Sequence, residues 1–461
     1  MGAIFELLSL EAQRRPFLLR NVLGTMRRWA PVSKFGKIVF ALSAAAVDEA
    51  YGRPQDFVNG PVYAPKLKLG PMILGLDPSV AYTAQRRLLY GIVGDNQATT
   101  SRFAVLVCER ARARQEAIES ACEGKDVLRL DLVTDFIEPV LTGALCQLMG
   151  LEFDDAADLL TSASVTPQLP AYSASRIAPN ARDVETSVAT VTQWLRKLGG
   201  SFAASWPAPF GLEEVNEALA KEMKSFLEAA VPKARGDSVI GELRDRRAST
   251  DEIVRWVGGM MLAGAALFKA STIAIQELSA RPAEHDLAQK HADQGEIDAV
   301  AGFVWEALRF HPLFPMVARY CPRPTRLGAV QIDADATVVL ATLSAMFDPA
   351  RVQNPEDFDP LRPERVYLLF GGGPHRCLAE TLARVAVPEI VAHVLSAFQI
   401  EKSEVPVYDG TAVHQYEVRL KFRPAGVRHD ANRTYNTVPP VLDEPREETG
   451  RTGGPSSRAH A

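Results

Sequence analysis

The sequence predicts a mainly α-helical protein with a minor β component, and three observations support this prediction. Apolar residues recur at helical spacing through most of the 461-residue chain. Stretches that alternate between apolar and polar residues, as half-buried strands do, are few and short. The hydrophobic fraction of 47% is enough for a sizeable core. We therefore expect one mostly helical domain with a small sheet component.

The predicted helices follow one another along the chain, and in each of them apolar residues return every three or four positions. The longest is apolar on nearly all sides, which is typical of a helix in the middle of a large core. The predicted helix at 297–312 is stopped by Pro312. The predicted helices cover residues 100–121, 133–151, 184–206, 215–231, 250–282 and 297–312.

Three stretches indicate strands. Residues 36–42, "GKIVFAL", come directly before a helical pattern near the start of the chain. Residues 328–346 alternate around polar turn residues and predict a small hairpin or meander. Residues 416–424, "YEVRLKFRP", predict a late strand.

The two ends of the chain differ in character from its middle. Residues 1–34 form an amphipathic, arginine-rich segment, and Glu6 interrupts any signal-peptide core. The apolar run at 38–47 is too short to cross a membrane. From about residue 427 to 461 the sequence is polar and rich in Pro and Gly, which predicts a disordered tail. We expect a soluble, cytoplasmic protein with no transmembrane segment. The net charge of −5 and the lack of a basic stripe argue against nucleic-acid binding.

Five scattered cysteines include no CxxC pair, which argues against a structural zinc site and a disulfide framework. We interpret four of them, Cys108, Cys122, Cys146 and Cys321, as buried thiols.

The fifth cysteine, Cys377, lies in the glycine-rich stretch 370–380, "FGGGPHRCLAE", just before a predicted helix at 378–398. A helix N-terminus favours an anion, so this position should lower the pKa of the thiol and favour the metal-binding thiolate. The glycines would let the backbone pass close to a flat cofactor, with N–H groups turned toward the sulfur. This pattern favours a haem iron bound by Cys377.

Other interpretations of the same stretch remain open. A phosphate-binding loop would need GxxxxGK[ST] or GxGxxG with its acidic partner, and neither is present. Cys377 could be a nucleophile, although His375 is poorly placed as its base and the base would then be a distant histidine. Cys377 could also be a buried thiol behind an ordinary turn.

Two further stretches contain charges that suggest a cofactor site. Glu306 and Arg309 lie three apart on a predicted helix and can form an ion pair, with large apolar side chains on either side. Arg319 lies inside an apolar run, where a buried charge needs a partner such as a haem propionate. Arg86 and Arg87 begin a helix-like stretch that is also compatible with an ordinary solvated face.

These stretches, in this order, resemble the cytochrome P-450 family over about residues 35–425. Phe370, Gly373 and Cys377 match the family's Phe-x-x-Gly-x-x-x-Cys haem loop, and residues 306–309 match its Glu-x-x-Arg pair. The resemblance implies the cytochrome P-450 fold, a large helical domain plus a small β-rich lobe. It also implies that residues 35–426 are a haem-thiolate catalytic domain that binds heme b (iron protoporphyrin IX).

The resemblance also implies residue roles. Cys377 would be the axial ligand of the iron, and Glu306 and Arg309 would stabilise the fold near its loop. Arg86, Arg319 and His375 would hold the propionates, and the central helix would cross the distal face of the haem near 263–266. The implied cofactor-binding residues are Arg86, Tyr82, Arg319, Phe370, His375, Cys377 and Ala263.

The sequence departs from the family pattern in several places. Tyr82 stands where many members carry a histidine. Asp357 stands where a loop arginine usually joins the Glu-Arg pair, so Arg362 would serve instead or the network differs. Ala379 replaces a common glycine, which a helix tolerates well.

The central helix shows the largest departure. Residues 263–267, "AGAAL", contain neither the acid nor the alcohol that passes protons to dioxygen in monooxygenase members. A second alignment, counted back from Glu306, would make Ser271 or Thr272 the alcohol. The residues before them are Lys269 and Ala270, so this alignment supplies no acid either.

The resemblance implies a monooxygenase that hydroxylates or epoxidises a lipophilic small molecule. With no room for a flavin reductase domain, electrons would come from a separate ferredoxin or flavoprotein. The missing acid–alcohol pair motivates an alternative, a peroxide-using relative such as a peroxygenase or a fatty-acid hydroperoxide isomerase or dehydratase. A non-catalytic haem-binding or sensor protein is a third hypothesis.

Overall fold

The computed structural model describes residues 15–121, 127–151, 188–203, 213–409 and 412–423. It confirms the prediction of a mainly α-helical fold with a minor β component. The α-helices are α1 (Pro16–Trp29), α2 (Ala44–Tyr51), α3 (Gly60–Tyr63), α4 (Val80–Leu89), α5 (Gln97–Ala121), α6 (Glu138–Met149), α7 (Val188–Ala203), α8 (Glu213–Ala230), α9 (Val239–Asp245), α10 (Thr250–Ser279), α11 (Pro282–Asp293), α12 (Ile297–Phe310), α13 (Thr342–Met346) and α14 (Glu380–Ala397).

The strands of the described chain form small sheets. The largest has the order β1-β2-β7-β4, in which β2 and β7 are parallel and the other pairs are antiparallel. A three-stranded antiparallel sheet has the order β3-β11-β8. The pairs β5-β6 and β9-β10 are hairpins. The strands are β1 (Val32–Phe35), β2 (Ile38–Ala41), β3 (Leu128–Asp131), β4 (Val317–Cys321), β5 (Thr325–Leu327), β6 (Val330–Ile332), β7 (Ala336–Leu340), β8 (Phe398–Ser403), β9 (Val407–Asp409), β10 (Ala412–Gln415) and β11 (Glu417–Phe422).

The long central helix α10 is the axis of the helical core. It begins with a capping box in which Ser249 and Glu252 satisfy each other's backbone N–H groups. Most of its apolar side chains are buried, as predicted for a core helix. Within the described residues it is the one helix long and apolar enough to cross a membrane, and 83% of its most apolar 18-residue window is buried inside the protein.

The hydrophobic core is divided into a large helical part and a smaller β-rich part. The large cluster joins side chains of α5, α6, α10, α12 and α14. A second cluster lies between the four-stranded sheet and α2, with Val47 and Val338 among its fully buried members. The segments between α12 and α14 run from one part to the other, and they carry Arg319 and the cysteine loop.

The structure differs from the sequence prediction in one pairing. The strands predicted within 328–346 exist, but β6 pairs with β5 and not with β7. β7 is instead a central strand of the large sheet, and residues 342–346 form the short helix α13. Alternation identifies the strands but not their partners: β5 directly precedes β6 in the chain, whereas β7 pairs with β4 and with β2 near the start of the chain. The predicted disordered tail at 427–461 lies outside the described residues.

Candidate active site

The cysteine loop is a short, tightly hydrogen-bonded turn. The N–H of Cys377 donates to the carbonyl of Phe370 at 2.9 Å, and the N–H of Arg376 donates to the carbonyl of Gly373 at 3.0 Å. Cys377 lies three residues before the first residue of α14, and the N–H of Ala379 hydrogen-bonds to its sulfur. The ring of Phe370 packs edge-on against Trp305 of α12 at 5.8 Å. The loop therefore fixes Cys377 between α12 and α14.

The glycines of this loop allow it to lie directly on the end of α2. Gly371 and Gly373 have φ angles of +74° and +63°, which side chains rarely adopt. A Cβ on Gly373 would come 2.1 Å from the carbonyl oxygen of Tyr51, and one on Gly372 would come 2.8 Å from its ring. The close approach in this structure is to Tyr51, and the approach to a flat cofactor that the sequence pattern suggested stays a prediction.

A cavity of about 360 Å³ opens beside Cys377, between α10, α12 and the cysteine loop. Its walls are mainly apolar and include residues 262–270 of α10, Leu308 and Leu313. The structure brings to this one cavity every residue for which the sequence suggested a cofactor contact. These are Tyr82, Arg86, Ala263, Arg319, Phe370, His375 and Cys377.

One side of the cavity carries cationic and hydrogen-bonding groups. Arg319 is buried on β4, and Arg86 extends from α4 to the carbonyl of Arg376 at 3.1 Å. Tyr82 donates to the carbonyl of Pro374, and its ring lies 4.9 Å from that of His375. Within the described part of the chain, the Nε2 atom of His375 and the hydroxyl of Tyr51 are buried without a hydrogen-bond partner.

This set of groups fits the carboxylates of a porphyrin. Two arginines supply charge-assisted donors, and the two buried polar atoms without partners can each donate one more hydrogen bond. Burial, with the charges of Arg319 and Arg86, lowers the pKa of His375 to about 3, so the imidazole is neutral at physiological pH. A neutral imidazole retains one N–H for donation.

The expected lowering of the pKa of Cys377 is wrong for this thiol. Its side chain is exposed only in the sense that it lines the cavity, and the surrounding protein raises its pKa to about 11. The N–H of Ala379 and the charges of Arg86 and Arg376 act in the opposite direction, but burial is the larger effect. A metal ion bound at the sulfur would deprotonate this thiol, because a coordinated thiol is deprotonated outright.

A cluster of buried charged and polar groups surrounds Glu306 of α12. The carboxylate of Glu306 accepts two hydrogen bonds from Arg309, at 2.8 and 2.7 Å, and one from Arg362 at 3.0 Å. The N–H of Asp359 and the hydroxyl of Tyr367 also donate to it. Glu306 and Arg309 are fully buried.

The third charged member of this cluster is Arg362, one of the two possibilities that the sequence left open. Arg362 reaches Glu306, whereas Asp357 contributes only its backbone carbonyl, which accepts hydrogen bonds from Arg309 and Arg362. Arg362 thus makes the contact with Glu306 that the family resemblance assigns to an arginine at position 357.

The central helix presents an apolar face to the cavity. Residues 262–270 line it, whereas Ser271 and Thr272 do not belong to the described lining. Both hydroxyls instead donate to carbonyls of their own helix, those of Leu267 and Phe268, at 2.8 Å. The alignment on residues 263–267 is therefore the one that faces the cavity, and it supplies neither acid nor alcohol.

Sequence reasoning missed three groups in the cavity wall. Tyr51 gave no local signal. Glu138 of α6 is buried and pairs with the half-buried Arg196 of α7, whose Nε lies 3.0 Å from Glu138 Oε1. Burial raises the pKa of Glu138 to about 7. A charge inside the apolar run "FIEPVL" could have revealed Glu138. Lys269, the third group, carries an amine into the wall of α10.

The other cysteines of the described chain show no metal-binding arrangement. Cys146 and Cys321 are buried and Cys108 is half-buried, and no disulfide joins them. Among these residues no cluster of three or more potential ligands has formed. Cys122 lies outside the described residues.

Comparison with known proteins points to one family. Residues 276–422 match the family model described as Cytochrome P450. The chain is 30% identical over 188 residues to the cyclomarin C epoxidase CymV of Salinispora arenicola, covering 40% of this chain and 46% of that protein. It is 31% identical over 188 residues to the erythromycin C-12 hydroxylase of Saccharopolyspora erythraea, covering 37% and 45%. The matches thus span less than half the length of these relatives.

The fold is similar to solved structures over a much longer range. The crystal structure of CalO2 matches with a TM-score of 0.69, covering 90% of this chain and 98% of that one, at 20% identity. A structure of a mutant of P450 EryK, in complex with erythromycin B, matches with a TM-score of 0.64 at 18% identity, covering 89% and 97%. At this level of identity the likeness establishes the fold.

Removal of the central carboxylate should destabilise the protein strongly. Glu306→Ala leaves the buried guanidinium of Arg309 without its anion, and we expect the free energy of unfolding to fall by about 3–5 kcal/mol. Chemical denaturation followed by tryptophan fluorescence measures this loss.

A matched control is Glu242→Ala, which removes the partner of Arg246 in a partly exposed pair one helical turn apart. Its expected loss is below about 1 kcal/mol. Equal losses in the two variants would contradict the structural role given to Glu306.

Proposed function

Because the chain belongs to the cytochrome P450 family, we propose that it is a haem-thiolate monooxygenase that hydroxylates or epoxidises a lipophilic small molecule. One observation carries this proposal, namely that Cys377 and the two arginines Arg86 and Arg319 border the same mainly apolar cavity. The names of the two relatives, an epoxidase and a hydroxylase, support the same reaction class.

The residues present fit haem b, the cofactor of the family. Cys377 would bind the iron, and Arg86, Arg319 and His375 would hold the propionates. The buried hydroxyl of Tyr51 lines the same cavity. When bound, haem b supplies the redox chemistry, and a thiolate ligand donates electron density that favours cleavage of an O–O bond.

The protein's own contribution is to position these groups and to exclude water. The N–H of Ala379 and the guanidinium groups of Arg86 and Arg376 act on the sulfur and stabilise its charge. The small side chains of Ala263 and Ala266 leave room in the cavity, and the apolar wall would bind the substrate by burial of its surface.

We further propose that electrons come from a separate ferredoxin or flavoprotein, and that the protein is soluble and cytoplasmic. The one described helix that is long and apolar enough to cross a membrane, α10, has 83% of its most apolar window buried inside the protein.

A second candidate function is supported by the apolar face of α10. A peroxide-using enzyme, such as a peroxygenase or a fatty-acid hydroperoxide isomerase or dehydratase, needs fewer delivered protons than one that cleaves dioxygen. The absence of an acid and an alcohol from residues 263–267 is compatible with such a reaction.

Replacement of the cysteine tests the iron ligand. Cys377→Ala should lose the red-shifted Soret band that thiolate ligation gives the reduced carbonyl complex. Cys321→Ala is the matched control, since that thiol is buried away from the cavity, and it should keep the band. Retention of the band in Cys377→Ala would assign the ligand to another residue.

Replacement of Arg319 tests the proposed contacts with the propionates. Arg319→Ala should lower the haem content of the purified protein and speed haem transfer to apomyoglobin, because the propionate loses a charge-assisted partner. Arg323→Ala, just after the same strand but exposed and paired with Asp56, should leave both values unchanged. Unchanged haem transfer in Arg319→Ala would remove this residue from the propionate site.

The source of oxidising equivalents separates the two candidate functions. With a reduced ferredoxin or flavoprotein donor and dioxygen, the monooxygenase should oxidise a bound lipophilic compound. With a fatty-acid hydroperoxide and no reductant, it should leave the conjugated-diene absorbance unchanged. Rapid loss of that absorbance would favour the peroxide-using enzyme, and no product under either condition would favour a non-catalytic haem protein.

A further inference from the structure

Asn59 places a buried carboxamide in the wall of the cavity. The residue is only 1% exposed, and its Oδ1 and Nδ2 atoms have no hydrogen-bond partner among the described residues. It lines the same cavity as Cys377. A buried polar group without a hydrogen bond costs free energy, and this amide leaves both its donor and its acceptor unsatisfied. A ligand in the cavity that pairs with both atoms removes that cost.

The side chain of Asn59 does not serve the local backbone. Asn59 is the N-cap residue of α3, where an asparagine side chain ordinarily accepts a hydrogen bond from the first helical turn, and no such bond is present. Instead the carboxylate of Asp77 accepts from the N–H groups of Asn59 and Gly60, at 2.6 and 3.0 Å. The preceding residue, Val58, exchanges two backbone hydrogen bonds with Tyr320 of β4. The backbone is thus held from two directions, and the amide is left for the cavity.

The cofactor proposed for this cavity cannot satisfy the whole of this amide. When its carboxylates are ionised and its four nitrogens bind iron, haem b has no N–H or O–H group and offers no hydrogen-bond donor. Its propionates are already assigned to Arg86, Arg319 and His375. The Oδ1 atom of Asn59 is an acceptor and needs a donor. That donor therefore comes from a second molecule in the cavity.

We propose that Asn59 binds an amide group of the substrate, so that the substrate class is lipophilic molecules that carry a primary amide or a lactam. This inference rests on the proposed function and deepens it. In both groups an N–H and a carbonyl oxygen lie side by side, so each can pair with Asn59 through two reciprocal hydrogen bonds. An ester only accepts, and a carboxylate would bring its charge against the lone pairs of Oδ1. Met72 and Ile73 also line the cavity and would contact the hydrocarbon part.

Ligand binding to the ferric holoprotein tests this assignment without turnover. The probes are dodecanamide, methyl dodecanoate and dodecanoic acid, which share a hydrocarbon chain and differ in the hydrogen bonding and charge of the head group. Binding is followed by the optical spin-state change. We expect the wild-type protein to bind the amide roughly tenfold more tightly than the ester, because the ester leaves the buried Oδ1 atom of Asn59 without a donor. The acid should also bind more weakly than the amide.

Three variants sharpen the test. Asn59→Leu is close in volume but has neither donor nor acceptor, and it should bind the amide no more tightly than the ester while binding of the ester stays unchanged. Asn59→Ala removes the same two groups without adding bulk and should give the same result if the leucine disturbs folding. Thr342→Val is the matched control. Thr342 also lines the cavity, but its hydroxyl already donates to the carbonyl of Phe314 at 2.8 Å, so this variant should keep the wild-type preference.

Two results would overturn the proposal. One is a wild-type protein that binds the ester or the acid as tightly as the amide, and the other is an unchanged preference for the amide in Asn59→Leu and Asn59→Ala. The haem content of each variant is measured before the titration. Loss of haem from Asn59→Ala, with the amide preference intact in the remaining holoprotein, would assign the side chain to the cofactor instead. Amide binding through Asn59 without any oxidised product would contradict the monooxygenase proposal and leave this one standing.

Discussion

The buried carboxylate of Glu306 is the constraint on which the architecture of the site depends. It gathers Arg309 of α12, Arg362, the N–H of Asp359 and the hydroxyl of Tyr367 around one charge that has no access to water. An isolated charge at such a position would be prohibitively costly, so each donor must remain in place for the fold to persist. Because Tyr367 lies three residues before Phe370, this cluster determines where the cysteine loop begins.

From that starting point the loop has little freedom. Its glycines lie on the carbonyl and the ring of Tyr51, and its last residues pass into α14. Tyr51 belongs to the β-rich part of the core and α14 to the helical part. The loop therefore joins the two parts, and the cavity beside Cys377 forms where they meet. The position of the sulfur is a property of the whole fold and not of the local motif alone.

Much of this could be predicted from the sequence, and the exceptions share a physical cause. Helices such as α10 and α12 are encoded by local periodicity, and their limits agree with the pattern within a few residues. The parallel pairing of β7 with β2 joins Ile38 to Thr337, about 300 positions further along the chain, and leaves no local trace. For the same reason the sequence could suggest Arg362 as the partner of Glu306 but could not exclude a different network.

The departures at the site are also a matter of tertiary position. The sequence showed that residues 263–267 lack an acid and an alcohol, but it could not show that the hydroxyls of Ser271 and Thr272 bond within their own helix. It likewise contained Lys269 without indicating that the carbonyl of Leu313, 44 residues away, holds its amine at the cavity wall. Residues 263–267 carry neither an acid nor an alcohol, and the next turn of the helix carries the amine of Lys269. In each case the tertiary position of a polar group, and not its presence in the sequence, decides whether that group faces the cavity.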